Sequence, residues 1–265
     1  MQVGSLSRYP VKSLLGEHLD EVAIDDGGVD RDRGLAFVDA GTGLVASAKH
    51  PRLWRHLLLS TAAVVDGRVR VSSPEGWTLD ADDPYLAARF SRTLGRPVRL
   101  VAERPPEATV ERPDPVDVIA EGVEAEVPAA TLEIGQGTPG GNFVDYAPVH
   151  VITTSTLDHV GTDAARYRPN IVLDTPEGTP YAENDWVGRR IEVGGVVLEV
   201  VLPTPRCAVP TLRHGDLPRD PHAVRALLED NRVDVPGFGV LPCAGVYARV
   251  HSAGSVRVGD AATLR

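Results

Sequence analysis

Apolar and polar positions along this chain alternate over short stretches that are separated by turn residues, a pattern typical of β-strands. Two pairs of such stretches face each other across the dipeptides Asp66-Gly67 and Gly194-Gly195, as the strands of β-hairpins do. Closely spaced strands with hairpins between them favour a barrel or a sandwich. The predicted strands are residues 33–39, 57–65, 69–71, 190–193 and 196–202.

Helical patterning is limited to three short segments. Residues 85–94 follow Asp83-Pro84, which supplies an N-cap and a proline at the first helical position, and they end at Gly95. The other two predicted helices are residues 154–160, capped by Thr154 or Ser155, and residues 221–231. The fold class is therefore predicted to be mainly β, β-barrel-like with a few short helices.

The segment 104–128 differs in composition from the rest of the chain, because it is rich in proline and acidic residues and has little periodicity. Such a segment is interpreted as a linker or a long surface loop. It separates residues 1–103 from residues 129–265, so we predict one domain on each side of it.

The overall composition is that of an acidic globular protein, with 42% hydrophobic residues and a net charge of −10 over 265 residues. A surface of that charge would repel a duplex, so no nucleic-acid partner is expected. No apolar run approaches about 18 residues, and the first residues form no signal-peptide core, which predicts a cytoplasmic protein without membrane contact. The 27 lysines and arginines still leave room for a local basic pocket.

Cysteine and histidine spacing excludes several common metal sites. Only two cysteines occur, Cys207 and Cys243, too few for a disulfide framework or a four-thiolate iron–sulfur site. The eight histidines show no zinc-ligand spacing, which argues against a mononuclear zinc enzyme. The glycine-rich segment 135–140 matches a dinucleotide fingerprint, but no helix is predicted to start there, so it is interpreted as a loop.

Three clusters place a cation beside a hydroxyl or amide donor at the end of a predicted strand. Such sets of donors can grip a phosphate or a similar anion. Taken singly, each cluster is more often an ordinary surface charge. The clusters are Tyr9-Pro10-Val11-Lys12-Ser13, Asp30-Arg31-Asp32-Arg33 and Arg166-Tyr167-Arg168-Pro169-Asn170.

A fourth cluster carries the thiol of Cys207. The predicted strand 196–202 runs into Pro203-Thr204-Pro205, and Arg206 then precedes the cysteine directly. A neighbouring cation lowers the pKa of a thiol and favours the thiolate, which is the form that binds metals or attacks. From one cysteine alone, a buried and inert thiol is the simpler interpretation. Cys243 has no cation nearby and is interpreted as structural.

Taken in order, these clusters resemble the MOSC family, the molybdenum cofactor sulfurase C-terminal domain, together with its N-terminal β-barrel partner. The resemblance covers nearly the whole chain and extends to the mitochondrial amidoxime-reducing component and its bacterial relatives. It implies an N-terminal β-barrel domain at residues 1–103 and a MOSC domain at residues 129–265. The matching motifs are Tyr9-Pro10-Val11-Lys12-Ser13, Asp32-Arg33, Lys49-His50-Pro51-Arg52-Leu53, residues 142–150 followed by 153–157, Arg168-Pro169-Asn170-Ile171-Val172, Trp186-Val187-Gly188-Arg189 and residues 205–211.

The family resemblance implies a molybdenum cofactor and a set of residues that hold it. In the amidoxime-reducing members, one protein cysteine holds a pterin-bound molybdenum, so Cys207 is implied as the metal ligand and the catalytic residue. The implied cofactor-binding residues are Lys12, Ser13 and Arg33 for the terminal phosphate, with Thr153, Thr154, Arg168, Asn170 and Arg206 completing the pocket.

The resemblance also implies a reaction and an alternative to it. The implied activity is that of an oxidoreductase that reduces N-hydroxylated or related oxygen-donor small molecules. Some relatives carry an iron–sulfur domain at the C-terminus, whereas this chain ends at Arg265. Electrons are therefore expected from a separate donor protein of the ferredoxin, flavin or cytochrome type. The alternative is a sulfur carrier or sulfurtransferase that uses a persulfide on Cys207.

Overall fold

The computed structural model describes residues 1–265 and is built mainly of strands, which confirms the predicted fold class. The strands are β1 (Gln2–Arg8), β2 (Glu17–Leu19), β3 (Glu21–Asp25), β4 (Gly28–Val29), β5 (Ala36–Asp39), β6 (Thr61–Val65), β7 (Arg68–Ser72), β8 (Thr78–Asp80), β9 (Val98–Val101), β10 (Thr109–Pro113), β11 (Ala129–Glu133), β12 (Val149–Thr153), β13 (Ile171–Asp174), β14 (Arg190–Val193), β15 (Val196–Pro205), β16 (Arg232–Val235), β17 (Gly239–Ser252), β18 (Gly254–Arg257) and β19 (Ala262–Leu264).

Five short α-helices and four 3₁₀ turns connect the strands. The helices are α1 (Pro51–Trp54), α2 (Leu86–Leu94), α3 (Pro115–Glu121), α4 (Thr154–Val160) and α5 (His222–Asp230). The 3₁₀ turns are Arg55–Leu59, Ala164–Arg166, Ala182–Trp186 and Val209–Thr211. None of the helices is both long enough and apolar enough to cross a membrane.

The largest sheet joins strands from both ends of the chain. Its order is β19-β14-β15-β17-β12-β13-β1-β2, with β16 paired to β17. Strand β1 pairs antiparallel with β13, and β3 pairs with β18, so the first strands complete sheets of the C-terminal half. Nineteen buried apolar residues, from Val3 to Ala262, form one core under these strands. The cation clusters that flank β1 and β13 are thereby brought close together.

A second core belongs to residues 11–98. It packs strands β5 to β9 against α2, and the rings of Phe37 and Phe90 lie 4.3 Å apart between centroids. The predicted helix 85–94 is confirmed as α2, and Gly95 ends it in the left-handed conformation. The hairpin at Asp66-Gly67 is also confirmed, and both of its turn residues have positive φ, as a tight two-residue turn requires.

Two predicted strands begin later than their apolar runs suggested. In the run 57–65, the first residues lie in the 3₁₀ turn Arg55–Leu59 and only Thr61–Val65 is a strand. Leu57 packs in the second core, whereas the adjacent Leu58 packs with Ala48 and Leu212 in a separate cluster. In the run 33–39, the strand starts at Ala36, because Arg33 has a positive φ.

The segment 104–128 is not the loop that its composition suggested. Residues Thr109–Pro113 form β10, which pairs with β11 along its whole length, and α3 follows directly. The side chain of Asp114 accepts a hydrogen bond from the backbone of Val116 and so caps α3. Only Val110 and Val118 are fully buried apolar anchors there, too few to produce a visible hydrophobic period.

Candidate functional site

Most of the residues predicted to form a site line one cavity. The turn after β1, the turn before β5, the turn before β13 and the end of β15 all contribute to its wall. The sequence-predicted residues that the fold brings together are Lys12, Ser13, Arg33, Arg168, Asn170, Arg206 and Cys207. The two predicted residues that it leaves outside are Thr153 and Thr154.

Three of the cavity residues have a left-handed backbone although none of them is glycine. The φ angles are +66° at Ser13, +50° at Arg33 and +56° at Arg168. This conformation is costly for residues with a Cβ atom and persists where the surrounding structure imposes it. Strain concentrated on cavity-lining residues is typical of a functional site.

A triad of charges, of which Lys12 is buried and the other two are partly exposed, forms one part of the wall. The Nζ atom of Lys12 donates to the Oδ1 atom of Asp145 and to the carbonyl of Phe143, both at 2.7 Å. The Nζ atom of Lys49 lies 3.1 Å from the same Oδ1 atom. Burial lowers the pKa of Lys12 to about 8, although the charge of Asp145 opposes this shift. Burial alone would raise the pKa of Asp145, but Lys12 and Lys49 hold it well below its usual range.

Two guanidinium groups flank the ring of Tyr9 in a second part of the wall. The Cζ atom of Arg168 lies 4.3 Å from the ring centroid and that of Arg33 lies 4.9 Å from it. Arg33 is paired with Asp32, and its Nη2 atom donates to the carbonyl of Arg168 at 3.1 Å. Cation–π contacts of this kind hold both guanidinium planes in a defined orientation.

The guanidinium of Arg168 is buried without hydrogen-bond acceptors. Its Nη1 and Nη2 atoms have no partner, and the residue is only 9% exposed. Burial, reinforced by the nearby charge of Arg33, lowers the pKa of Arg168 to about 10. Buried donors on a charged group cost several kcal/mol when they are left unsatisfied, on the order of 1–3 kcal/mol even for neutral groups. An anion bound in the cavity could accept hydrogen bonds from these Nη atoms of Arg168.

Arg206 also lines the cavity but, unlike Arg168, it has hydrogen-bond acceptors within the protein. Its donors are taken up by the carbonyls of Ala244 and Tyr167 at 2.7–3.2 Å and by the Nε2 atom of His150 at 2.6 Å. The guanidinium also lies 5.0 Å from the centroid of the Tyr167 ring. Arg206 was predicted to bind the cofactor, and in the structure its hydrogen bonds hold the chain that precedes Cys207.

Ser13 and Asn170 also form hydrogen bonds with backbone groups. The amide of Asn170 accepts from the backbone N–H of His150 at 3.1 Å and donates to the carbonyl of Ser7 at 3.3 Å. The hydroxyl oxygen of Ser13 accepts from the backbone N–H of Ala48 at 3.0 Å, which leaves its own proton free to be donated. Both residues line the cavity, and each keeps one hydrogen to donate: the Ser13 hydroxyl proton and the second Nδ2 hydrogen of Asn170.

The two cysteines have different surroundings. Cys207 is 9% exposed and lines the cavity, just after β15. Cys243 is fully buried in β17, where its thiol donates to the carbonyl of Leu241. Burial raises the pKa of Cys243 to about 12, so it stays a neutral thiol. Both are free cysteines, and only Cys207 lines the cavity.

Thr153 and Thr154 have structural roles at the start of α4. The Thr153 hydroxyl accepts from the backbone N–H of Thr156 and donates to the Oε2 atom of Glu183 at 3.0 Å. The Thr154 hydroxyl accepts from the backbone N–H of Thr175 at 2.8 Å. Both were predicted to bind the cofactor, and neither of them lines the cavity. The N-cap preference for threonine was the signal that could have identified Thr153.

Several cavity residues were not predicted from the sequence. Lys49 and Asp145 lie inside motifs that were recognised, but their mutual contact depends on the fold. Arg112 and His150 also line the cavity, and no sequence pattern had given either a binding role. No group of three or more His, Cys, Asp and Glu side chains is placed to share a metal ion.

Comparisons with known proteins match both halves of the chain. A family model described as "MOSC domain" matches residues 140–263, and one described as "MOSC N-terminal beta barrel domain" matches residues 1–96. No curated protein matches the chain significantly.

Two solved structures are similar in outline. The YuaD protein from Bacillus subtilis is 11% identical, with 99% of this chain and 94% of that chain covered and a TM-score of 0.41. The YiiM protein from Geobacillus stearothermophilus is 16% identical, with 59% of this chain and 72% of that chain covered and a TM-score of 0.32. Scores this low support no assignment of activity.

Proposed function

Because the chain belongs to the MOSC family, with both its N-terminal β-barrel domain and its MOSC domain, we propose that it binds the molybdenum cofactor. We propose further that it is an oxidoreductase that reduces N-hydroxylated or related oxygen-donor small molecules. One observation carries this proposal: the thiol of Cys207 and the unpartnered guanidinium of Arg168 line the same cavity.

The donors in the cavity fit a phosphorylated, metal-bearing group. The Nη atoms of Arg168 lack acceptors, and Lys12 and Arg33 add two further positive charges to the wall. Arginine and lysine are the side chains that most often bind phosphate oxygens. A thiolate is a soft ligand and suits a soft metal centre, a role that falls to Cys207.

The cavity residues divide into two kinds under this proposal. Lys12, Arg33 and Arg168 would bind the anionic part of the cofactor directly, and Ser13 would add a hydroxyl donor. Arg206 and Asn170 would keep the Cys207 loop and the strand ends in place through their bonds to backbone groups. Substitutions in the first kind would change affinity for the cofactor, and substitutions in the second would change stability as well.

The cofactor would supply the oxygen-atom transfer, while the protein would orient it and surround it with positive charge. Reduction of an N-hydroxylated compound consumes two electrons and two protons and releases water. A separate electron-donor protein, of the ferredoxin, flavin or cytochrome type, would supply the electrons.

The proposal is tested by metal analysis of the purified full-length protein. We expect one molybdenum per chain in the wild type, and loss of the metal in Cys207→Ala. Cys243→Ala is the matched control, since Cys243 lies in the core and should leave the molybdenum content unchanged. Full molybdenum content and full activity on amidoximes in Cys207→Ser would overturn the proposal.

Sulfur transfer is a second candidate function for the same thiol. Cys207 is a free thiol that lines a cavity, which is what a persulfide carrier requires. A metal-free protein that gains about 32 Da on Cys207, the mass of one sulfur atom, would favour this function. The same purified sample therefore distinguishes the two candidates.

A further inference from the structure

One cation in the cavity wall lies outside both matched family regions. Arg112 belongs to β10, between the matched residues 1–96 and 140–263. Its Nη2 atom donates to the carbonyl of Arg206 at 3.3 Å, and that carbonyl belongs to the peptide bond that leads into Cys207. The guanidinium is thus fixed next to the chain segment that carries the thiol.

Arg112, like Arg168 and Arg206, has no acidic partner, whereas both lysines and Arg33 in the wall do. Lys12 and Lys49 are paired with Asp145, and Arg33 is paired with Asp32. No carboxylate lies within 4.0 Å of the Arg112 guanidinium, and its bond to the Arg206 carbonyl is its one hydrogen bond. The residue is half-buried and lines the cavity.

The strand that carries Arg112 is held rigidly. On either side of it, Val110 is fully buried in a core cluster and Pro113 is buried. Each residue of β10 is paired with one of β11. A guanidinium presented from a rigid, paired strand loses little conformational freedom when it binds an anion.

We propose that Arg112 binds an anionic group, a carboxylate or another oxyanion, on the small-molecule substrate that reacts beside Cys207. This substrate class rests on the proposed function. Lys12, Arg33 and Arg168 already provide donors for the phosphate of the cofactor, so Arg112 is the unpaired cation left for the substrate. Leu58, Val209 and Pro210 line the same cavity and would contact the apolar body of such a molecule.

A first experiment needs no cofactor and no turnover. The full-length protein is produced in a host that makes no molybdopterin, and alkylation of Cys207 is followed by mass mapping with iodoacetate and with iodoacetamide. These reagents differ by one negative charge. We expect Arg112→Gln to lower the iodoacetate-to-iodoacetamide rate ratio about fivefold, because a unit charge at this range acts on the anion alone.

Matched variants make that first result specific. Arg112→Lys keeps the charge and should keep most of the rate ratio. Arg89→Gln removes an exposed arginine on α2, outside the cavity, and should leave the ratio unchanged. An unchanged ratio in Arg112→Gln would overturn the proposal, whether or not the protein turns over a substrate.

A second experiment uses the molybdenum-loaded protein and two substrates, benzamidoxime and 4-carboxybenzamidoxime. In Arg112→Gln we expect KM for the carboxylate to rise about tenfold, as loss of a charge-assisted hydrogen bond predicts, with KM for the neutral compound unchanged. A parallel loss of molybdenum would show that Arg112 binds the cofactor instead, and would overturn the proposal. If neither compound is turned over by the wild type, the proposed function fails while the alkylation ratio still decides the role of Arg112.

Discussion

The Nη2 atom of Arg206 lies 2.6 Å from the Nε2 atom of His150, so the guanidinium donates and the imidazole accepts. A guanidinium has no acceptor, which requires His150 to be neutral with its proton on Nδ1. Burial, together with the charge of Arg206, holds the pKa of His150 well below its ordinary value and maintains this state. Because Arg206 directly precedes Cys207, the imidazole helps to set the path of the chain at the thiol.

Removing the acceptor at His150 should destabilise the protein. We expect His150→Leu to lower the free energy of unfolding by about 2 kcal/mol, because a buried charged donor loses a partner. His150→Gln, whose side-chain oxygen can accept from Arg206, should lose less than half as much. Urea denaturation measures both values, and equal losses in the two variants would show that the imidazole acts only by filling space.

Replacing Arg168 should stabilise the protein, in contrast to replacing His150. Its Nη atoms are buried without acceptors, so the charge is a cost to the protein when no anion is bound. We expect Arg168→Met to raise the free energy of unfolding of the cofactor-free protein by about 1 kcal/mol, since a buried charge is exchanged for an apolar chain of similar length.

The same Arg168→Met variant should lose affinity for anions. Sulfate should raise the thermal midpoint of the wild type, through preferential binding to the folded state, and should leave the variant unaffected. A variant that is both less stable and still responsive to sulfate would contradict this account of Arg168.

Much of the site was predictable because its charges lie at strand ends. Lys12, Arg33 and Arg168 each sit in a turn next to a strand, and the resemblance of the ordered motifs to the MOSC family implied that they share one pocket. Which of the polar residues would be bonded to backbone groups, and which would be left free to bind a ligand, was not predictable. Arg206 donates to the carbonyls of Ala244 and Tyr167, which are far from it in sequence, and a residue pattern does not show which backbone carbonyls a side chain will meet.

The fold was predictable to a similar degree. Alternating strands and the turn at Asp66-Gly67 follow from local rules, and they were confirmed. The strand and helix in 104–128 were missed because two buried valines, separated by a capped turn, produce no period. Pairing of β10 with β11 across an intervening helix is a long-range contact that local patterning does not register.

Anion binding should weaken above about pH 8. Burial lowers the pKa of Lys12 from its ordinary 10.5 to about 8, against the opposing effect of Asp145. As the pH rises through 8, Lys12 loses its proton and the cavity loses one positive charge. Sulfate affinity of the cofactor-free protein should therefore fall by up to about tenfold per pH unit, and sulfate itself does not titrate in this range.

Lys12→Arg is the matched control for this pH dependence. A guanidinium stays protonated throughout the range, so the variant should bind sulfate with a nearly flat profile between pH 7 and about pH 10. Calorimetric titration at several pH values measures the affinity. The same steep fall in Lys12→Arg would assign the titration to another group.

For Lys12, the pH dependence of stability has the opposite sign to that of a lysine whose pKa is raised in the folded state. The folded pKa is lower than the unfolded one, so the unfolded chain binds more protons between about pH 8 and 10.5. The contribution of Lys12 to the free energy of unfolding therefore rises with pH across this window and is least favourable below it. In Lys12→Met this rise should disappear, which urea denaturation at pH 7.5 and at about pH 10 would detect.

Variants of Thr153 and Thr154 should lose stability without losing the ability to bind the cofactor. Thr153 caps α4 and donates to the buried carboxylate of Glu183, whose pKa is raised mainly by burial. We expect Thr153→Val to lower the free energy of unfolding by about 2 kcal/mol, because it removes both the cap and one partner of a buried acid. Thr154→Val, which loses one half-buried bond to the Thr175 backbone, should cost about 1 kcal/mol.

Neither variant should change molybdenum content per folded chain or the response to sulfate, since neither side chain lines the cavity. Loss of molybdenum from a folded Thr153→Val protein would restore this hydroxyl to the cofactor site.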